Sequence, residues 1–488
     1  MIISIVGLSG SGKSFVARTL ESYNPRIIHL DIDKIGHSVY ESQLVRQNLL
    51  NTFGEMVLKD NQVDRKALGK IVFSNKIWHG IFMKKIEFFL LKYLNLFLLI
   101  KYRICDKMIQ KKKYAKAAKI IPDGYKSANH FFEAVFMDKE MIWMGQNTNE
   151  LHIGHNDDVH KAMIECIESD EYCKYPPPEG FSELRQLILD DLNIYINAGA
   201  TESLYLAMNA VLSPEDNVIT PDPGYLIIDN LASRFANEVR QVKIYSEENG
   251  YKLTPKLARE NMDENTKVIL LIDPLNPLGS SYTEEEIKEF AEIAIENDLF
   301  LIHDVTYRDF AYNHTLAAKY APNNTITCYS FSKIFGMAGL RLGAIISSEE
   351  VIDVVKSIII NDVGTNMVAQ AGALAALKSK EEWIDRVRDT TFENQKIIKE
   401  AVDQCEGVFL PVYPSSANMM GIDLSGAGID PEDMSSYLIE KKVFTRQGSY
   451  TSNTFGHNYL RVSYSIDPEK VKVFAREFVL AVEALRTK

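Results

Sequence analysis

Apolar and polar positions change their rhythm several times along this chain, and each change predicts an element. Near the start, Ile2–Val6 is a short aliphatic run, followed by a glycine-rich turn, an amphipathic stretch Lys13–Ser22 and a second run Arg26–Leu30. Strand, turn, helix and strand in that order open an α/β sheet. Further along, Asn217–Thr220, Lys267–Ile272, Leu299–His303, Thr325–Tyr329 and Leu342–Ile346 are β-branched or aliphatic runs too short for helices. Amphipathic helical patterns separate them, as over Thr283–Asn297. Such alternation predicts a parallel sheet covered on both faces. Between the two regions, 76–128 is apolar and then lysine-rich, with a break at Ile121-Pro122-Asp123-Gly124, and reads as a helical connector. Its apolar part, Ile81–Ile100, contains Lys84, Lys85, Glu87 and Lys92, which argues against a membrane-spanning helix.

The 488 residues suit roughly three folding units at about 150 residues each, so a single small binding module is excluded. With 46 % apolar and 25 % charged residues, global disorder is excluded as well. The net charge of −12 argues against nonspecific nucleic-acid binding. That charge is uneven. From Lys76 to Lys126 there are 13 Lys/Arg against Glu87, Asp106 and Asp123, a local +10 that leaves −22 elsewhere. The lysine-rich part, 101–119, is read as a solvated helix face. Five scattered cysteines without a CxxC pair fit a reducing compartment and neither a disulfide frame nor a zinc site. The N-terminal segment lacks the pattern of a signal peptide, so a cytoplasmic location is expected.

Three polar residues follow successive strand runs: Asn276, Asp304 and Lys333, separated by 28 and 29 residues. Taken singly they read as a turn, a helix cap and a solvated lysine. Their joint register sets all three at the carboxyl edge of a parallel sheet, where ligands bind. Together with their neighbours they suit a pyridoxal phosphate site. Lys333, in a short turn after a buried strand, is the candidate Schiff-base lysine. Asp304 is a carboxylate to keep the cofactor ring nitrogen protonated, and Tyr307 and Asn276 are donors to the ring hydroxyl. For the phosphate, Gly199-Ala200-Thr201 opens a helix, and Ser330, Ser332 and Arg341 flank the lysine. Tyr225, in the turn Pro221–Tyr225, is a candidate to stack on the ring.

KYPPPEGFSELRQLI (174–188), NAGATESLYLAM (197–208), DPLNPLG (273–279), HDVTYRDF (303–310), SFSKIFGMAGLRLG (330–343) and LRVSYS (460–465) resemble, in order, the class I/II aminotransferases of the type I pyridoxal phosphate fold. The resemblance covers about 129–488. It implies a large lobe with a mostly parallel sheet, near 175–400, and a small α/β lobe from about 129–174 and 401–488. It also implies that Arg461 grips the substrate α-carboxylate, that Tyr175 reaches the partner's cofactor phosphate in a homodimer, and that Met144–Asn147 line the substrate entrance. The substrates implied are an amino acid and a 2-oxo acid. Asp273 stands where that family usually has Asn, and Leu278 where it has Thr. Arg446 reads as a surface arginine, with contact to an acidic substrate group as the alternative. A decarboxylase or β-lyase on the same scaffold would share nearly all of these residues.

At the other end, Gly7-Leu8-Ser9-Gly10-Ser11-Gly12-Lys13-Ser14 fits a phosphate-cradling loop between strand and helix. Gly7, Gly10, Gly12 and Lys13 would hold ATP phosphates, and Ser14 a magnesium ion. VGLSGSGKS (6–14), LDIDKIGHSVY (30–40) and VDRKALGKIVFSN (63–75) resemble the first part of dephospho-CoA kinases, which implies Asp33 as the base for a ribose hydroxyl. That resemblance stops near Asn75, before any further acidic strand or arginine lid. The expected organisation is therefore an incomplete P-loop module at 1–78, a connector at 79–128 and the aminotransferase-like region beyond. An ATP-dependent dephospho-CoA kinase, and a nucleotide sensor built on an enzyme scaffold, are the alternatives from other classes.

Overall fold

The computed structural model describes residues 138–151, 157–188 and 192–486, with short stretches between 47 and 68. The chain divides into two units, 1–116 and 117–488. In the first, a 3-10 turn at Glu55–Val57 leads into an antiparallel pair of two-residue strands, Leu58–Lys59 and Gln62–Val63. Asp64 Oδ1 then accepts from Ala67 N at 3.1 Å, capping the next turn. The expected strands Ile2–Val6 and Arg26–Leu30, the glycine turn and the connector 79–128 lie outside the described residues.

Among the described residues, the second unit opens with strand β1 (Ile142–Trp143) and helices α1 (Asp157–Glu168) and α2 (Ser182–Ile188). Its main sheet contains β2 (Asn193–Asn197), β3 (Asn217–Asp222), β4 (Glu238–Lys243), β5 (Thr266–Ile272), β6 (Phe300–Asp304), β7 (Thr325–Ser330) and β8 (Gly343–Ser347), in the order β2-β8-β7-β6-β5-β3-β4. Helices α3 (Ala200–Val211), α4 (Leu226–Ala232), α5 (Pro255–Asn261) and α6 (Glu284–Glu296) connect the strands. The start of α6 follows from its sequence: Thr283 Oγ1 accepts from Glu286 N, and the Glu286 carboxylate accepts from Thr283 N.

Strands β3 to β7 pair in parallel. The run Leu342–Ile346, read as one more parallel strand, is a correction: β8 is antiparallel to both β2 and β7. A parallel return needs a crossover, usually a helix; the β7–β8 link holds only a 3-10 turn, Ala338–Leu340. Both faces of the sheet are buried, as the apolar runs require. Ile194 and Ile196 join one apolar cluster and Tyr195 the other, and Ala344 and Ile346 oppose Ile345 in the same way.

Beyond the sheet come α7 (Glu349–Ile358), α8 (Met367–Lys378) and the long α9 (Lys380–Asp403). A smaller lobe follows, with β9 (Met419–Asp423), α10 (Pro431–Glu440), β10 (Val443–Phe444), β11 (Arg446–Gln447), β12 (Tyr459–Ser463) and α11 (Pro468–Arg486). Its antiparallel sheet has the order β9-β12-β11, and β10 pairs in parallel with β1. Ile398, Val402, Phe474 and Phe478 centre a third core there, which Met144 enters. The segment expected to belong to the small lobe, 129–174, is thus split. β1 joins that lobe, while Val159 of α1 packs in the core of the large sheet. α1 lies so close to α8 that a Cβ on Gly372 would sit 2.9 Å from Met163 Cγ. Among the described residues no helix is long and apolar enough to cross a membrane.

Candidate active site

Strand ends of the large sheet converge on one cavity of about 260 Å³. Asp304 closes β6, Ser330 closes β7 with Lys333 three residues on, and Asn276 lies in the loop after β5. The cavity also receives Gly145–Thr148, Arg446, Tyr450 and Arg461 from the segments around the small lobe. The expected set Asn276, Asp304, Tyr307, Tyr225, Ala200, Thr201, Ser330, Ser332, Lys333, Arg341 and Arg461 all line it.

Lys333 Nζ donates to the Gln146 carbonyl at 3.1 Å and stands 5.7 Å from the centre of the Tyr307 ring. Burial, and then the positive charges of Arg461 and Arg341, pull its amine down to about 7 against the pull of Asp304. About half of the amine is then neutral and nucleophilic at neutral pH. Asp304 is pushed the other way, to about 6, by burial; hydrogen bonds from Thr306 and the charge of Lys333 oppose the rise. Thr306 N and Oγ1 reach Asp304 Oδ1 at 3.1 and 2.6 Å and fix one face of the carboxylate. The Tyr307 hydroxyl, raised to about 12 by burial, accepts from Asn147 Nδ2 at 2.9 Å.

Other donors of the cavity lining suit a dianion. Gly199, at φ +102°, precedes α3, whose first residues Ala200 and Thr201 face the cavity. The Tyr225 hydroxyl is hydrogen-bonded to Thr201, and burial pushes its pKa well up. Arg341 Nη1 lies 3.4 Å from Ser332 Oγ, and Nη2 donates to the Ala198 carbonyl at 3.3 Å. Its φ is what favours glycine at 199; a Cβ there would also lie 2.8 Å from Arg341 Nη2, the movable end of that side chain. A lysine, a buried carboxylate and a hydroxyl-guanidinium-helix cradle in one cavity fit the ring, its nitrogen and its phosphate.

Arg461, on β12, is buried and donates from Nη1 to Asn276 Oδ1 at 2.9 Å and from Nη2 to the Gly145 carbonyl at 2.7 Å. Among the described residues its buried Nε has no hydrogen-bond partner. Arg446 is the main departure from the sequence reading. It is not on the surface: only 5 % of it is exposed, and it lies 4.4 Å above the Tyr450 ring. It is paired directly opposite Arg461 in the β11–β12 ladder.

Thr306 and Tyr450 were not singled out by the sequence, whereas Asn147 belongs to the segment Met144–Asn147 that the resemblance sets at the substrate entrance, and it lines the cavity. The Asp-x-Thr spacing was a signal for Thr306, whose hydroxyl bonds back to the residue two before it; Tyr450 had none. Tyr175 is 80 % exposed and does not line the cavity. Gly7, Gly10, Gly12, Lys13, Ser14 and Asp33 lie outside the described residues.

Comparison with known proteins identifies two regions. The profile described as aminotransferase class I and II matches residues 139–478, and that of dephospho-CoA kinase matches 1–82. Over 384 residues the chain is 29 % identical to an aspartate aminotransferase of Pyrococcus horikoshii, covering 75 % of this chain and 96 % of that protein. It is 30 % identical over 361 residues to a probable aspartate/prephenate aminotransferase of Aquifex aeolicus, covering 67 % and 88 %. A solved aspartate aminotransferase variant of Thermus thermophilus superposes with a TM-score of 0.66 at 22 % identity, covering 76 % of this chain and 99 % of that one.

Proposed function

We propose that the chain, which belongs to the aminotransferase class I and II family, carries out its transamination through Lys333, Asp304 and Arg461. The enzyme moves an amino group between an amino acid and a 2-oxo acid. When bound, pyridoxal phosphate supplies an electron sink for charge that develops at the substrate Cα. Ala200, Thr201, Ser330, Ser332 and Arg341 would bind its phosphate, with the backbone at Gly199 leaving room for Arg341. Asp304 would hold the ring nitrogen, Tyr307 and Asn276 the ring hydroxyl, and Tyr225 would pack on the ring. Arg461 orients the substrate α-carboxylate, and Lys333 Nζ takes the Cα proton and returns it. The observation that carries this reading is the convergence of Lys333, Asp304, Arg341 and Arg461 on one cavity at the strand ends.

Arg446 favours a donor with a second anionic group. A buried guanidinium facing the same cavity as Arg461 suits the far end of a dicarboxylic substrate. Two relatives whose names include aspartate are consistent with that choice. The protein is further proposed to act as a homodimer, with Tyr175 of each copy at the other's phosphate site, in a reducing cytoplasm.

The test is a spectrum and a half-reaction screen. Protein reconstituted with pyridoxal phosphate should show a visible absorption band that Lys333→Ala abolishes; a wild-type chain without the band would sink the assignment. Among glutamate, aspartate, aromatic amino acids and histidinol phosphate, anionic donors should convert fastest. Arg446→Ala should raise KM for them by about 30-fold, which corresponds to about 2 kcal/mol. Release of carbon dioxide in place of a 2-oxo acid would favour the decarboxylase reading. For the segment matching dephospho-CoA kinase, ATP with magnesium is the proposed ligand of Gly7, Gly10, Gly12, Lys13 and Ser14. ATP binding by the full chain that survives Lys13→Ala would contradict it.

A further inference from the structure

Outside the cavity lining, Asp273, His303 and His314 form a second polar cluster of the large lobe, with Asp273 and His303 fully buried. Both imidazole Nε2 atoms face Asp273 Oδ2, at 3.4 Å from His303 and 3.0 Å from His314, and the two rings stack 5.6 Å apart. The other carboxylate oxygen accepts from Ser281 Oγ at 2.5 Å and Tyr282 N at 3.3 Å.

Two imidazoles and a carboxylate within 4.8 Å of one another have the composition of a metal site. The protons speak against one. Ala317 N donates to His303 Nδ1 at 3.3 Å, so that nitrogen keeps its lone pair. In the neutral ring the proton then sits on Nε2, where it bonds Asp273 and blocks coordination. Burial keeps His303 neutral by pulling its pKa down. For Asp273 burial acts upward, but the hydrogen bonds from the two histidines outweigh it and hold the carboxyl well below the usual range.

This cluster is wired to the site on two sides. Asp273 N donates to the Asp304 carbonyl at 2.9 Å, and His303 is the residue before Asp304 on β6. Three residues after Asp273 comes Asn276, which holds Arg461. We propose that Asp273, His303 and His314 form a buried brace that positions Asp304 and Asn276 for the cofactor and for Arg461. They are positioning residues, and their role rests on the assignment of Asp304 and Asn276 above. The donor count explains the acid. Ser281 Oγ, Tyr282 N and His303 Nε2 converge on the carboxylate of residue 273, while His314 Nε2 lies 3.0 Å from its Oδ2 and bonds its main-chain carbonyl at 3.3 Å. A carboxylate accepts from all of the first three. An asparagine has one oxygen, so its NH2 must face either the Tyr282 N–H or the His303 Nε2–H.

Asp273→Asn in the full chain should therefore lose pyridoxal phosphate at least tenfold faster on dilution and raise KM for the amino donor, with the far-ultraviolet circular dichroism retained. Asp273→Asn/His303→Gln should bring both back to within threefold of wild type, because the glutamine amide turns its oxygen to the asparagine NH2. Should Asp273→Asn not fold, His303→Leu is measured in its place, and it too should speed cofactor loss. Wild-type cofactor retention in the single variant, equal losses without rescue in the double variant, or stoichiometric metal in the purified chain would each overturn the brace. Asp304→Asn separates the two levels. If it abolishes transamination while Asp273→Asn is silent, only the brace fails; if Asp304→Asn is itself silent, the underlying assignment fails.

Discussion

At Lys333 a single amine is asked to be neutral where an exposed lysine would be charged. Burial and two arginines bring it to about 7, so below that pH it is protonated and without a free lone pair, and above it the lone pair is available. Asp304, at about 6, is ionised over the same upper range. Uptake of pyridoxal phosphate by the cofactor-free chain should therefore rise between about pH 6 and pH 8, with its midpoint near 7, as followed by growth of the visible band in stopped-flow mixing. A flat profile across that interval, rising only towards the ordinary lysine value of about 10, would refute the shift. Residues such as Lys333, Asp304 and Asn276 were legible in the sequence because each follows a buried run, although the link from Asp304 to β7 holds only 3-10 turns in place of the expected helix. Arg446 was not, because nothing local distinguishes an arginine held under a tyrosine ring from one in water. Its burial is a property of the ladder around it.

Elements divide along the same line. β5, β6 and β7 are covered on both faces, so they appear as unbroken apolar runs and their limits are readable to within a residue or two. The mixed burial of β4 at the sheet edge removes that signal, and the two-residue strands β1, β10 and β11 are too short to carry any period. The direction of β8 was misread because alternation in sequence says that strands share a sheet, while the link preceding β8 decides its sense. Helix α6 was fully legible, since its capping box and its amphipathic face agree. The start of α3 was legible through chemistry: a glycine before a helix beside an arginine makes sense as an anion cradle.

For the whole molecule, the proposed dimer turns on Tyr175, which is 80 % exposed in the single chain. If each tyrosine serves the other copy, mixing Tyr175→Phe chains with Lys333→Ala chains should regenerate one intact site per mixed dimer. Activity should then reappear with wild-type cofactor affinity, whereas a tyrosine acting within its own chain would yield no such site. The smaller lobe adds a last consequence. Arg446 and Arg461 face each other across β11 and β12, two like charges opposed in a ladder that disfavours them, and both meet the same cavity. Successive residues of a strand alternate sides, so a slip of one position would turn Arg446 away from the cavity without altering its identity. The register is set by the 448–458 connection between these strands. On the proposed role of Arg446, substrate preference would accordingly depend on a loop length, and a single inserted or deleted residue there should erase it while every site residue remained in the sequence.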